Sequence, residues 1–340
     1  MSIKLVIASL IVVTTGAFAP SLAADQATID AARKEGEITW YTTQIVNQLV
    51  RPATSAFEKK YGIKVNYVRA NATEIALRVI NEARAGRIQA DVVDGTATSV
   101  MLRREGHIMQ WVPETNFEKQ FVDPEKFWIA TNLYVLTPGV NTDLVPKGSE
   151  PKTYADLLDP KWKGKMIWNS TPSSSAGPGF VGTVLNVMGD DKGMAYLREL
   201  AKQNVASVAS SGRQVLDQVI SGEYPIALQI FNNHAVISSS KGAPVSWIPM
   251  EPSMAVLSVM SVIKSTPRPN AAKLFVEFIT SEEGQKLVQA AGELPVHPAV
   301  APTDPSLRPD GTRFKALYLS PEEVEKGMQS WSKTFSAIFR

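Results

Sequence analysis

From residue 37 onward, short apolar runs alternate with stretches whose apolar positions recur at helical spacing. "EITWY" (37–41) reads as a strand, and Leu49, Ala53 and Phe57, four residues apart, mark the buried stripe of a helix that stops at Tyr61-Gly62. "IKVNYVRA" (63–70) is a second strand, and "ATEIALRVINEARAG" (72–86) carries Ile75, Val79 and Ala83 on one helical face. "ADVVD" (90–94) and "TATSVMLRREG" (96–106) repeat the unit. A β-α-β-α-β-α rhythm predicts a parallel sheet with helices on its faces.

The rhythm breaks at "FWIATNLYVLTPGVNT" (127–142), a long extended segment with no helix after it. Turn-rich sequence follows at 150–165, then strands at "KMIW", "VASVAS" (205–210), "PIALQI" (225–230) and "VSWIPM" (245–250), with helices at 179–188, 191–203, 211–221 and 231–240. "AVLSVMSVI" (255–263) is a strand with no helix before it, and so a return crossing. Helices at 270–279, 281–291 and 321–336 complete the chain, the last opened by Ser320-Pro321-Glu322-Glu323, a capping box with proline in the first turn. The pattern predicts an α/β protein of two lobes joined by two extended hinge crossings: residues 24–132 with 258–340 as lobe 1, and 133–257 as lobe 2. A hinged pair of lobes closes around a ligand in the cleft between them.

Residues 1–23 stand outside this pattern. Lys4, the apolar run Leu5 to Ala19 and the small-x-small Ser21-Leu22-Ala23 read as a cleavable signal peptide cut after Ala23. The rest of the chain has no run of the roughly 18 apolar residues that a membrane helix needs. It contains no cysteine, and therefore neither a disulfide framework nor a lipidated cysteine. An exported chain without an anchor is expected in a periplasm, as a monomer. A net charge of +2 is too small to argue for nucleic acid or a membrane surface.

Open α/β sheets bind ligands beyond the carboxyl ends of their strands, so the strand-to-helix loops hold the candidates. The first contributes Tyr41, Thr42 and Thr43, an aromatic and two hydroxyls that either meet a ligand or pack. "STPSSSAGPGFVG" (170–182) contains Gly177, Gly179 and Gly182, spelling G-x-G-x-x-G. The eight residues between Trp168 and Gly177 separate that spacing from a dinucleotide fingerprint, whose first glycine follows the strand directly. Ser173, Ser174 and Ser175 beside Gly177 either cap the helix or bind an anion at its N-terminus. In "SSGRQVLDQV", Ser211 opens a helix and Arg213 lies in its first turn, an unfavourable place for a cation unless an anion joins it. His234 follows a strand end and either orients a ligand or caps. No cofactor motif, metal-ligand spacing, H-E-x-x-H, G-x-S-x-G or P-loop lysine occurs. Ser238-Ser239-Ser240-Lys241 matches S-x-x-K at the wrong end of a helix, so the chain is read as a binding protein, not an enzyme, with a secreted hydrolase as the alternative of another class.

The ordered set "GEITWYTT", "KKYGIKVNYV", "ARAGRIQADVVDG", "VLTPGVNTDLVPKGSEPKTYADLLDPKWKGK", "SSGRQVLDQVISGEYPIAL" and "RPNAAKLFVEFITSEEGQKLVQ" resembles the extracellular solute-binding proteins of ABC importers, in the group of ferric-iron, thiamine, hexose-phosphate and phosphonate binders. The resemblance spans nearly the whole chain after the signal peptide. It implies the type II periplasmic-binding-protein fold, a ligand in the interlobe cleft, and delivery to an inner-membrane permease with its ATPase. Ferric-iron members hold the metal with adjacent tyrosines at the start of the helix after the strand read here as "PIALQI", where this chain has Phe231-Asn232-Asn233-His234. In the loop after the third strand, Asp94-Gly95-Thr96, only Asp94 offers the anionic oxygen that Fe(III) requires. The expectation is a small organic anion, a phosphonate, phosphate ester or carboxylate, contacted by Tyr41, Thr42, Thr43, Asp94, Thr96, Ser173, Ser174, Ser175, Gly177, Ser211, Arg213, Asn232 and His234, with Fe(III) as the alternative ligand.

Overall fold

The computed structural model describes residues 26–309 and 313–339; the signal-peptide reading lies outside them. Helix α1 (Gln26–Glu35) leads into the alternation read from the sequence: β1 (Glu37–Thr42), α2 (Arg51–Tyr61), β2 (Lys64–Arg69), α3 (Ala72–Arg84), β3 (Val92–Asp94) and α4 (Thr96–Arg104). The long strand β4 (Ile129–Asn141) then crosses to a second set: β5 (Met166–Asn169), α5 (Gly177–Met188), α6 (Asp190–Ala201), β6 (Ala206–Val208), α7 (Gly212–Ile220), β7 (Ile226–Phe231), α8 (Asn232–Ser239) and β8 (Val245–Trp247). The return crossing is β9 (Ser253–Val262), followed by α9 (Pro269–Thr280), α10 (Glu282–Ala290), β10 (Leu294–Pro295), β11 (Ala316–Leu319) and α11 (Pro321–Ile338).

One sheet runs through the molecule in the order β2-β1-β3-β9-β4-β7-β5-β6. Strands β1, β2 and β3 are mutually parallel and share the direction of β4, because β9 is antiparallel to both β3 and β4. Strands β5, β6 and β7 are parallel to one another and oppose β4. The two sets therefore point their carboxyl ends at each other along the crossing strands, and that opposition creates the cleft.

Each half of the sheet is covered on both faces. Successive strand residues face opposite ways, so Trp40 joins one apolar cluster with Phe57, Phe275 and Phe278, while Tyr41 joins another with Ile75, Val79 and Leu102. In the second half Ile167 packs with Leu216 and Ile230, and Trp168 with Phe180, Trp331 and Phe335. Helix α11, which the sequence reading grouped with lobe 1, lies on α4, where Arg103 pairs with Glu322 at 3.2 Å, and also on α5 within this last cluster. Trp331 and Phe335, four residues apart, form the face that takes it there. The expected strand at 245–250 is shorter, spanning only Val245–Trp247.

Candidate functional site

The strand register sets the width of the cleft floor. On one side the Thr96 hydroxyl donates to the Leu257 carbonyl, and Leu257 pairs with Leu133. On the other, β7 ends at Phe231 opposite Leu136. Only Tyr134 and Val135 lie between, so at about 3.3 Å per residue the floor measures ~10 Å along β4. The Tyr134 ring rests on Phe231 with centroids 4.5 Å apart, and its hydroxyl points to Gln44 Oε1 at 3.5 Å. Gln44, in the loop after β1, in turn donates to Asn132 Oδ1 (3.0 Å) and Ser258 Oγ (2.9 Å).

Charges of both signs surround the Tyr134 phenol. Burial, then the negative charges of Glu293 and Asp94, push it well above its ordinary value, while the positive charge of Arg69 acts the other way. Arg69 is the last residue of β2, paired with Thr42 of β1 at the carboxyl edge of the sheet. It is exposed, and its guanidinium forms no ion pair with any described residue.

Three helices begin at this cleft without a capping side chain. The N-caps are Gly95 for α4, Ala176 for α5 and Phe231 for α8. Helices α3, α7 and α11 carry capping boxes, while α2, α6 and α9, which start away from the cleft, also lack a capping side chain. Leading N–H groups without side-chain acceptors, reinforced by helix dipoles, make a site for negative charge. Gly95, at φ 111°, also lets α4 approach the first loop, since a Cβ there would stand 2.8 Å from Thr43 Cγ2.

The structure gives each expected residue a definite place. Asp94 is fully buried and accepts from the Thr42 hydroxyl, the Thr43 amide (2.7 Å) and the Thr43 hydroxyl (2.5 Å); burial raises its carboxyl against these hydrogen bonds. Thr42 and Asp94 thus brace the loop, and Thr43 is the member of that trio left partly exposed. Tyr41 is a correction. It sits in the core away from the cleft, donates to Glu82 Oε1 at 2.7 Å and is pushed up to about 12 by burial and that carboxylate.

Ser173, Ser174 and Ser175 are partly exposed ahead of α5. Ser173 and Ser175 share a hydrogen bond of 3.0 Å, and Gln229 Nε2 holds the Ser174 carbonyl at 3.0 Å. Gly177 is a second correction, because it is buried in a helix contact: a Cβ would stand 2.1 Å from the Phe335 ring. At Gly182 it would meet Trp331 at 2.5 Å, and at Gly179 the Ser174 carbonyl at 1.9 Å. The three glycines serve the packing of α11 and the fold-back of the serine loop.

Ser211 exchanges capping hydrogen bonds with Gln214. Arg213 pairs with Asp217 Oδ1 (2.7 Å) and donates to Ser238 Oγ (2.9 Å), so its charge is already matched within the helix layer. His234 stacks edgewise on Phe231 at 5.1 Å, and burial followed by the nearby Arg213 lowers it to about 4. Asn232 is buried, with Nδ2 donating to the Leu307 carbonyl at 2.8 Å. The sequence reading missed Gln44, Arg69 and Tyr134. Arg69 was legible as the polar end of a predicted strand beside a loop; Tyr134 lay inside an apolar crossing with nothing local to mark it. Among the described residues no three His, Cys, Asp or Glu side chains converge to hold a metal ion.

Residues 100–317 match the family model described as bacterial extracellular solute-binding protein. A putative 2-aminoethylphosphonate-binding periplasmic protein of Salmonella typhimurium is 24% identical over 306 residues, which cover 87% of this chain and 84% of that one. The chain is similar in structure to iron-bound HitA from Pseudomonas aeruginosa, with a TM-score of 0.73 and 23% identity over 87% of this chain and 98% of that one. It is also similar to the periplasmic binding protein AfuA from Actinobacillus pleuropneumoniae with fructose-6-phosphate bound, with a TM-score of 0.70 and 23% identity over 89% and 99%. These likenesses fix the fold as the type II periplasmic-binding-protein architecture.

Proposed function

Because the chain belongs to the bacterial extracellular solute-binding protein family, we propose that it is the periplasmic binding component of an ABC importer and carries a small organic anion, a phosphonate, phosphate ester or carboxylate, in its interlobe cleft. The observation that carries this reading is Arg69, exposed at the carboxyl edge of β2, without an ionic partner among the described residues and close enough to influence the Tyr134 phenol. Around it stand the uncapped starts of α4, α5 and α8 and the hydroxyls of Thr43 and Ser173 to Ser175. A guanidinium fork with backbone N–H groups and hydroxyls is a donor-rich set that suits tetrahedral or planar oxyanions. As in the binding proteins of its family, the ligand is bound and released unchanged to a permease and its ATPase.

A second reading is Fe(III), favoured by Tyr134, a phenol on the cleft floor. Phenolate is a hard oxygen ligand suited to that ion. Asp94 and Glu293, the carboxylates that act on this phenol, are both buried and already hydrogen-bonded, which leaves the organic anion ahead.

The test is a thermal-shift and calorimetric screen of protein unfolded and refolded to strip ligand, against 2-aminoethylphosphonate, alkylphosphonates, fructose-6-phosphate, carboxylates and Fe(III). A ligand of the folded state raises the melting temperature by mass action. Stabilisation by an oxyanion with a colourless protein supports the first reading. A coloured complex with Fe(III), and no response to the organic anions, refutes it.

A further inference from the structure

Glu293, between α10 and β10, is 2% exposed and has no ion-pair partner among the described residues. Its Oε2 accepts from Asn132 Nδ2 at 3.4 Å and from Asn233 Nδ2 at 3.2 Å. Asn132 belongs to the crossing strand β4, and Asn233 to α8, which follows the second-lobe strand β7. Asn233 Nδ2 also reaches the Gly292 carbonyl at 3.1 Å, and Asn232 Nδ2 the carbonyl of Leu307, a residue of the first-lobe core. Ile237 of α8 fills the space where a Gly292 side chain would stand. The start of α8 is thus fastened to the other lobe, with Glu293 at the seam.

The seam has too many acceptors. The amide oxygens of Asn232 and Asn233 are both buried without a hydrogen-bond partner, and the carboxylate that Asn233 contacts adds only acceptors. A proton on Glu293 relieves the shortage. The acid keeps one oxygen to accept from Asn233 Nδ2 and offers its O–H to an amide oxygen, and an acid and a primary amide pair in this way without added volume. A bound ammonium or alkali cation would need room, and would sit at the N-terminus of α8, where the helix dipole opposes positive charge.

We propose that Glu293 is a proton-operated latch between the lobes: protonated, it holds α8 against the first lobe, and ionised, it loosens that contact so that the cleft opens more readily. Burial raises its carboxyl to about 7, against hydrogen bonds from both asparagines. The arrangement with Glu293 buried therefore binds more protons than one with it hydrated. Its stability is full below the ordinary value of 4.5, falls as the pH rises from there through about 7, and changes no further above that. The charged or titratable groups on elements packed here are Tyr134 on β4, His234 on α8, Asp94 on β3, Glu282, Glu283 and Lys286 on α10, and His297 after β10. The phenol is raised well above 10, His234 is lowered to about 4, and His297 and Glu282 are lowered too. Asp94 is raised, and is the group a variant must separate from Glu293.

The latch rests on the two-lobed fold and not on the ligand, so it stands or falls apart from the anion reading. The chain has no cysteine, so Lys59→Cys on α2 and Lys192→Cys on α6 place single thiols for a fluorescent pair on exposed positions of the two lobes. The full mature chain, free of ligand, is followed from about pH 5 to about pH 9. The expected result is a separation that lengthens as the pH rises through the window from 4.5 to about 7, is held short at every pH by Glu293→Gln, and is held long by Asn233→Ala. Cooperative unfolding checks each variant; if Glu293→Gln does not fold, the parent and Asn233→Ala still carry the comparison. A parent that shows no dependence on pH, the same dependence in Glu293→Gln or Asn233→Ala, or a separation set by sodium or potassium at fixed pH would each overturn the proposal.

Discussion

Tyr134 lies against Phe231 with ring centroids 4.5 Å apart and planes inclined by 32°. One residue belongs to the strand leaving the first lobe, the other ends the strand that points back at it. Their contact marks the cleft floor and brings a phenol to the place where the resemblance put a tyrosine at the start of α8. The aromatic ring at that position is phenylalanine, and the hydroxyl comes from the strand that faces it.

Tyr134→Phe keeps this stacking and removes the hydroxyl. If the ligand is an oxyanion gripped by Arg69, affinity for it falls by less than about tenfold, the scale of one neutral hydrogen bond. If the ligand is Fe(III), the loss of the phenolate abolishes the visible band. Absorption spectra and calorimetry of the two proteins separate these outcomes.

Arg69→Ala lowers affinity for the best oxyanion by about tenfold to a hundredfold, because a hydrogen bond to a charged group contributes ~1.5–3 kcal/mol. The melting temperature of the free protein stays unchanged, since the exposed guanidinium supports no described neighbour through an ion pair. Arg213→Ala changes affinity little, its charge being matched by Asp217 at 2.7 Å. The reverse ranking in titration calorimetry would return the site to α7.

Gly182→Ala drives a methyl into Trp331, which would lie 2.5 Å from the new Cβ. Overpacking of this kind costs ~1–3 kcal/mol, visible as a lower urea midpoint. Affinity measured under native conditions is unaffected, because the glycine serves the α5–α11 contact. A loss of affinity without a loss of stability would restore a ligand role to the G-x-G-x-x-G stretch.

His234 is lowered to about 4, chiefly by burial. The folded protein therefore binds fewer protons than the unfolded chain between the ordinary value of 6.5 and about 4, and stability falls as the pH drops through that window. His234→Asn removes this part of the acid-side loss. Denaturation midpoints measured from neutral pH downward should show a shallower decline in the variant.

The alternation of apolar runs and helical stripes determined the element order, and the break at 127–142 marked the crossing strand, because both signals are local: they depend on which side chains face inward within one strand or helix. Helix α11 shows where that ends. Its apolar face was legible, but whether Trp331 and Phe335 meet α5 or the other lobe depends on matching two surfaces more than 140 residues apart in sequence. Chain order alone singled out the strand-to-helix loops as the candidate edge, whereas their side chains were sorted only by packing. Tyr41 alternates into the core, Asp94 is consumed by its own loop, Gly177 makes room for Phe335, and Arg213 finds Asp217. Arg69, Asp94 and Glu293 all act on the Tyr134 phenol because the first strand set ends its carboxyl edge along the crossing strand, and the Glu293 seam forms because α8 reaches across it. These are relations between distant segments, created when the sheet assembles, and no periodicity along the chain encodes them.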